Sequence, residues 1–165
     1  LVYGCTSASA VLGNAKVAEY MNRAKPDTPC VTPSSAALDA FAALGIKKIS
    51  VLTPYAKDVT DTLVRYFAEH GPEVVSAECF GLSDDRDMAR VSLDSIIDGG
   101  VAACAAQADA LFVSCTALRA ASCVAQLEAR LGKPVITSNQ AMVWRCMRHL
   151  GLTGDFPAGG TLFKT

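Results

Sequence analysis

The stretch LVYGCTSASA, residues 1–10, runs from a short apolar segment directly into a Cys-Thr pair, Cys5-Thr6. The same order returns in LFVSCTALRA, residues 111–120, where the apolar segment ends at Cys115-Thr116 and a helix-like segment follows. A short apolar run bounded by small polar residues is typical of a buried strand. The two stretches therefore predict two equivalent loops, each placed at the end of a strand.

A second repeated unit follows each of these loops. PCVTPSSAALDAFAALG (residues 29–45) and PVITSNQAMVWRCMRHLG (residues 134–151) both read as proline, short strand, threonine, small polar turn, helix and Leu-Gly. Because the two units recur in the same order, the simplest explanation is a pair of similar α/β halves. Each half then offers one Cys-Thr loop.

Strand-like and helix-like segments alternate along the whole chain, which predicts an α/β fold with parallel sheets. The predicted strands are residues 1–3, 29–31, 48–52, 73–78, 110–113 and 134–136. The predicted helices are residues 10–23, 34–44, 57–69, 92–106, 117–131 and 140–150.

We predict two pseudosymmetric lobes, each a parallel sheet flanked by helices, with the active site in the cleft between them. The first lobe is residues 1–44 plus 134–165, and because the chain opens within a predicted strand we expect this lobe to lack an upstream piece. The second lobe is residues 45–133.

Composition narrows the class of partner. Apolar residues make up 51% of the chain, charged residues 19%, and the net charge is −1, so neither nucleic acid nor an anionic membrane is an expected partner. The seven cysteines form no C-x-x-C pair, which argues against a disulfide framework or a metal site and favours a reducing cytoplasm. We expect the chain to form a homo-oligomer.

The Cys-Thr loops carry the predicted chemistry. Ligands of parallel α/β sheets bind beyond the carboxyl ends of the strands. There the N–H groups of a following helix lower a thiol pKa and bind a carboxylate, with the hydroxyls of Thr6, Ser7 and Thr116 as further donors. Two opposed thiols, Cys5 and Cys115, suit proton transfer beside a carboxylate. The alternative is that each cysteine packs as a small apolar residue.

Three further side chains are candidates for substrate contact. Tyr55 follows a strand and either donates a hydrogen bond in the cleft or packs on a helix. Asp85, next to Asp84, either contacts substrate or belongs to a helix cap. Asn139 is either an active-site amide or a turn residue. No nucleotide-binding or zinc-protease motif is present, and we expect no cofactor. The other cysteines are predicted to pack: Cys30, Cys79, Cys104, Cys123 and Cys146.

At these positions the chain resembles the aspartate/glutamate racemase superfamily, in the branch of maleate cis-trans isomerase, arylmalonate decarboxylase and the ectoine-utilization protein A group. The stretches that carry the resemblance are YGCTSAS, PCVTPSSAAL, ALGIKKISVLTPY, GLSDDRDMARVS, DALFVSCTALRA and LEARLGKPVITSNQA.

The resemblance implies a cofactor-independent isomerase or racemase in which Cys5 and Cys115 act as a pair beside the carboxylate of a small (di)carboxylic acid. In maleate isomerase the residue matching Cys5 adds to the double bond, and the residue matching Cys115 donates the proton. Thr6, Ser7, Tyr55 and Thr116 would bind the carboxylate. Two alternatives stay open: a malonate-type decarboxylase that uses Cys115 alone, and a non-catalytic anion-binding accessory protein of ectoine utilization.

Overall fold

A four-stranded parallel sheet forms the centre of the computed structural model, which describes residues 1–154, 156 and 159–165. The strands lie in the order β2-β1-β3-β4, and each neighbouring pair is parallel. All of β3 and all of β1 after Lys48 are buried, as expected for strands covered on both faces. The strands are β1 (Lys48–Tyr55), β2 (Glu73–Leu82), β3 (Ala110–Val113) and β4 (Val135–Thr137).

Helices surround this sheet, which confirms the predicted α/β class. They are α1 (Thr6–Leu12), α2 (Asn14–Ala24), α3 (Pro33–Ala43), α4 (Lys57–His70), α5 (Asp85–Arg90), α6 (Leu93–Ala103), α7 (Val124–Leu131) and α8 (Ser138–His149). Short 3-10 helices cover Ala120–Cys123 and Thr161–Lys164. In the described part of the chain, no helix has the length and apolar character needed to cross a membrane.

The repeated units of the sequence have equivalent local structures. Val2 and Val31 form a parallel bridge, in the same order along the chain as the pairing of β3 with β4. Thr32 begins α3 and Thr137 begins α8, each through a capping box in which the threonine and the residue three positions on satisfy one another's backbone N–H groups. These two helices pack against each other.

The largest apolar side chains meet on one face of the sheet. Phe112 of β3 lies edge-to-face against Phe41 of α3 and Phe67 of α4, with ring centroids 5.7 and 5.1 Å away. Phe41 and Phe67 also contact each other at 5.6 Å. All three rings are at most 2% exposed, so this aromatic cluster joins both flanking helices to the sheet.

Several predicted elements differ from those observed. The strands predicted over residues 1–3 and 29–31 are reduced to a single bridge between Val2 and Val31. The helix predicted over residues 10–23 is two helices, because Gly13 adopts a φ of +83° and turns the chain between α1 and α2. The helix predicted to begin at Ala117 begins with a 3-10 turn at Ala120, and α7 follows at Val124. The structure also adds α5, whose N-cap is Asp84.

The two-lobe division stays a prediction. β4 was grouped with the first lobe, yet it is hydrogen-bonded to β3 within the four-stranded sheet, whereas the following α8 packs on α3. Residues 155, 157 and 158 of the predicted first lobe lie outside the described residues.

Candidate active site

Cys115 lies two residues beyond the carboxyl end of β3. Its side chain is 6% exposed, and its backbone has a φ of +89°, a left-handed value that a non-glycine residue rarely adopts. The thiol sulfur lies 3.9 Å from the sulfur of Met88 on α5. A strained backbone at the end of a strand is a common property of functional positions.

Tyr55, the last residue of β1, reaches the same place. Its hydroxyl oxygen accepts a hydrogen bond from Ser114 Oγ at 3.2 Å and lies beside the Cys115 thiol. Burial, and then the neighbouring thiol, raise the pKa of Tyr55 well above its usual range. The phenol therefore stays protonated at neutral pH and can donate a hydrogen bond.

The pKa of Cys115 is raised, so the predicted lowering is wrong at this position. Burial is the largest cause, and the negative charge of Asp85 acts in the same direction. The backbone N–H groups of Leu118 and Ala117 and the Tyr55 hydroxyl lower the pKa but do not offset burial. At neutral pH the thiol is protonated, a state suited to donating a proton.

Replacing Asp85 by asparagine should shift the alkylation of Cys115 by iodoacetamide to lower pH. The substitution removes a carboxylate whose charge disfavours the thiolate, so the pKa of Cys115 falls toward its ordinary value. The measurement is the extent of alkylation at each cysteine against pH, read by mass spectrometry. Asp87→Asn, also exposed on α5, is the matched control. An equal shift in both variants would contradict a specific effect of Asp85.

Cys5 occupies the N-cap position of α1 and is half-buried. Its sulfur lies 3.6 Å from the hydroxyl oxygen of Ser7. The helix therefore begins directly after the cysteine, four residues before the predicted start at Ala10.

Hydrogen bonds tie the two Cys-Thr loops directly to each other. Thr116 Oγ1 donates to the carbonyl oxygen of Gly4 at 2.7 Å, and Asn139 Nδ2 donates to the carbonyl of Thr116 at 3.0 Å. Thr6 Oγ1 donates to Ser138 Oγ at 2.9 Å. The structure thus brings together residues that the sequence separates by more than a hundred positions.

Several of the predicted substrate-binding groups donate their hydrogen bonds to other parts of the protein. The hydroxyl protons of Thr6 and Thr116 and an amide proton of Asn139 are directed at protein oxygens. Their predicted contacts with a carboxylate stay predictions.

A cavity of about 360 Å³ opens beside Tyr55 and Met88, the two side chains next to the Cys115 thiol, and neither Cys5 nor Cys115 is part of its lining. Three of the predicted site residues, Ser7, Tyr55 and Asp85, line it. Its remaining walls are Ala56, Asp58, Val59, Leu82, Ser83 and Met88. Among residues 1–154, 156 and 159–165, the structure contains no group of three or more His, Cys, Asp or Glu side chains able to hold a metal ion.

Two residues of the site, Ser138 and Met88, are not predicted from the sequence. Ser138 is fully buried and contacts both loops, and Met88 closes the space beside the Cys115 thiol. Ser138 aligns with Pro33 in the internal repeat, so the repeat contains no signal for it. The helix that carries Met88 was not predicted.

Comparison with known proteins decides the family. The family model described as arylmalonate decarboxylase matches residues 6–163. The chain belongs to the arylmalonate decarboxylase family. This membership confirms the resemblance that the motifs predict.

Two curated relatives illustrate the range of the family's neighbours. Arylmalonate decarboxylase from Bordetella bronchiseptica is 32% identical over 125 residues, 74% of this chain and 52% of the relative. Maleate isomerase from Pseudomonas putida is 29% identical over 144 residues, 82% of this chain and 55% of the relative. The chain therefore spans about half the length of these relatives, 52% and 55%.

Solved structures of the same two enzymes share the fold. A cysteine-to-alanine variant of maleate isomerase from Pseudomonas putida S16, with maleate, superimposes with a TM-score of 0.90 at 27% identity, covering 98% of this chain and 68% of the other. A double mutant of arylmalonate decarboxylase in the liganded form gives 0.91 at 31% identity, covering 99% and 72%. The homologues are enzymes of two catalytic classes, isomerase and decarboxylase, and these identities do not distinguish between the two classes for this chain.

Proposed function

We propose that the protein is a cofactor-independent isomerase or racemase, maleate isomerase-like, acting at the carbon next to a carboxylate of a small (di)carboxylic acid. One observation carries this proposal: the loops that hold Cys5 and Cys115 are hydrogen-bonded to each other beside a cavity. Two thiols supplied by opposed loops suit chemistry in which one attacks carbon and the other supplies a proton.

For an unsaturated diacid such as maleate, the proposed reaction has three steps. The Cys5 thiolate forms a C–S bond to one alkene carbon, and the π electron pair moves to the neighbouring carbon, which takes the proton of Cys115. The resulting C–C single bond rotates. The Cys115 thiolate then removes the same proton, the double bond re-forms, and the C–S bond breaks to return the Cys5 thiolate.

The states of the side chains support these roles. Burial keeps the Cys115 thiol protonated at neutral pH, as a proton donor requires. Tyr55 lines the cavity, and its protonated hydroxyl can donate to the carboxylate as negative charge spreads onto it. Ser7 offers a second hydroxyl on the cavity wall.

The test is proton NMR in deuterated buffer with maleate, fumarate, phenylmalonate and a panel of chiral amino and hydroxy acids. The proposal expects conversion of maleate to fumarate, or deuterium uptake at the carbon beside a carboxylate. Ligand binding without turnover or exchange of any substrate would support the accessory-protein alternative and overturn an enzymatic role.

A second candidate is a malonate-type decarboxylase that uses Cys115 alone. The family model and the relative at 32% identity favour it. In this reaction the bond between the α-carbon and one carboxylate carbon breaks and releases CO₂. The electron pair left on the α-carbon then takes the proton of Cys115.

Replacing Cys5 by alanine separates the two candidates. Because the isomerase needs a nucleophile at this position, we expect turnover to fall by about 10²–10⁴-fold or more. A decarboxylase would keep its rate within a few-fold. The measurement is the initial rate by NMR for maleate and for phenylmalonate, and Cys30→Ala, another half-buried cysteine, is the control. Full retention of maleate isomerisation in Cys5→Ala would exclude the two-cysteine mechanism.

A further inference from the structure

Both cysteine loops are hydrogen-bonded to the same atom, the hydroxyl oxygen of Ser138. Its hydroxyl oxygen accepts the Thr6 hydroxyl at 2.9 Å and the backbone N–H of Cys115 at 3.1 Å. The side chain is 0% exposed, so no solvent replaces either contact. One of these donors follows Cys5 directly, and the other belongs to Cys115 itself.

This hydroxyl is not needed to begin α8. Thr137 Oγ1 accepts the N–H of Gln140 at 3.2 Å, and Gln140 Oε1 accepts the N–H of Thr137 at 2.9 Å, so the capping box satisfies the helix start. The Ser138 hydroxyl is therefore available for the loops. Its position is itself fixed, because α8 packs on α3 and buries Ala141 completely.

We propose that Ser138 is a positioning residue that sets the relative placement of the two reacting thiols, an inference that rests on the proposed two-cysteine function. Cys115 has a left-handed backbone, a conformation that persists only when its surroundings hold it. The Ser138 hydroxyl oxygen accepts a hydrogen bond from the N–H of Cys115. It also accepts one from the hydroxyl of Thr6, which fixes the loop that carries Cys5. Small displacements of reacting groups cost much rate, because reaction requires a near-attack geometry.

The structure contains a matched control in Ser50. Its hydroxyl oxygen also accepts one side-chain hydroxyl, from Ser76 at 2.7 Å, and one backbone N–H, from Ala105 at 2.9 Å. It is likewise 0% exposed, and it lies near the start of β1, at the end of the sheet opposite the cavity. Loss of the Ser138 hydroxyl leaves two buried donors without an acceptor. Loss of the Ser50 hydroxyl leaves the Ala105 N–H without one, while the Ser76 hydroxyl keeps the carbonyl oxygen of Ala103 at 2.8 Å. Ser138→Ala and Ser50→Ala should therefore both lower the urea midpoint.

The two variants should differ in function and in thiol chemistry. In Ser138→Ala, kcat should fall about 10–100-fold with KM within a few-fold, since the thiols rather than the carboxylate donors lose their placement. Iodoacetamide should also react faster with Cys115, because its loop is no longer held closed. Ser50→Ala should match the wild type in kcat and in Cys115 alkylation.

The experiment measures kcat, KM and the alkylation rate of each cysteine in the full chain. If Ser138→Ala does not fold, Ser138→Cys is compared with Ser50→Cys, since sulfur is a weaker, longer acceptor and should cause a smaller change in the same direction. Equal kcat and equal Cys115 alkylation in the Ser138 and Ser50 variants would overturn the proposal. If the wild type turns over no substrate, the proposed function fails, and the alkylation rates alone decide whether Ser138 holds the loop.

Discussion

Replacement of Cys115 by alanine is expected to lower turnover by about 10²–10⁴-fold, because both candidate reactions take their proton from this thiol. The substitution removes one small buried atom, so the free energy of unfolding should fall by only about 1 kcal/mol. The measurements are initial rates by NMR on maleate and phenylmalonate, with urea denaturation on the same samples.

Cys123→Ala is the matched control for this loss. Cys123 is also buried, at 1% exposure, but its sulfur lies near the carbonyl oxygen of Leu93 at 3.8 Å, whereas that of Cys115 lies near the cavity-lining Met88. This variant should keep its turnover. A Cys115→Ala protein that folds and retains more than about a tenth of the wild-type rate would remove Cys115 from the mechanism.

The largest effect on stability is expected from Phe112→Ala. The ring is fully buried at the centre of the aromatic cluster, and its removal leaves a cavity beside Phe41 and Phe67. Such a substitution costs about 3–5 kcal/mol, a large part of the roughly 5–15 kcal/mol that stabilises a typical domain. Urea denaturation followed by circular dichroism measures the change.

Two companion variants make this prediction specific. Phe112→Leu keeps most of the apolar volume and should cost clearly less than the alanine variant. Val143→Ala removes apolar atoms from a side chain that is 54% exposed, and its effect should stay within about 0.5 kcal/mol. A loss below about 1 kcal/mol for Phe112→Ala would show that the cluster does not hold the helices to the sheet.

The strands that decide the fold were predictable, because a strand buried on both faces needs a continuous apolar run. ALFV of β3 is such a run. The repeat also predicted that Thr32 and Thr137 stand at equivalent places, and both begin helices through capping boxes. Local sequence was enough in these cases because the interactions join neighbouring residues.

Other features depend on the surroundings of a residue. Residues 10–23 have helical spacing, and only the backbone of Gly13 shows that two helices meet there. The helix-like segment after Cys115 predicts a lowered pKa for its thiol. Tertiary burial reverses that direction, and the α-helix begins later in the chain. Ser138 is recognisable only once Thr6 and Cys115 lie beside it.

The long sequence separation of the contacts that join the two loops has a consequence for folding. Thr6 and Ser138 are 132 positions apart, and Thr116 and Gly4 are 112 apart. Contacts between residues so far apart in the sequence have a large loop-closure entropy cost, and we expect them to form after the helices and local turns. A refolding chain thus acquires its helical signal before its two cysteine loops meet. Burial of the Cys115 thiol against iodoacetamide then reports the last stage of folding, whereas far-ultraviolet dichroism reports an earlier one.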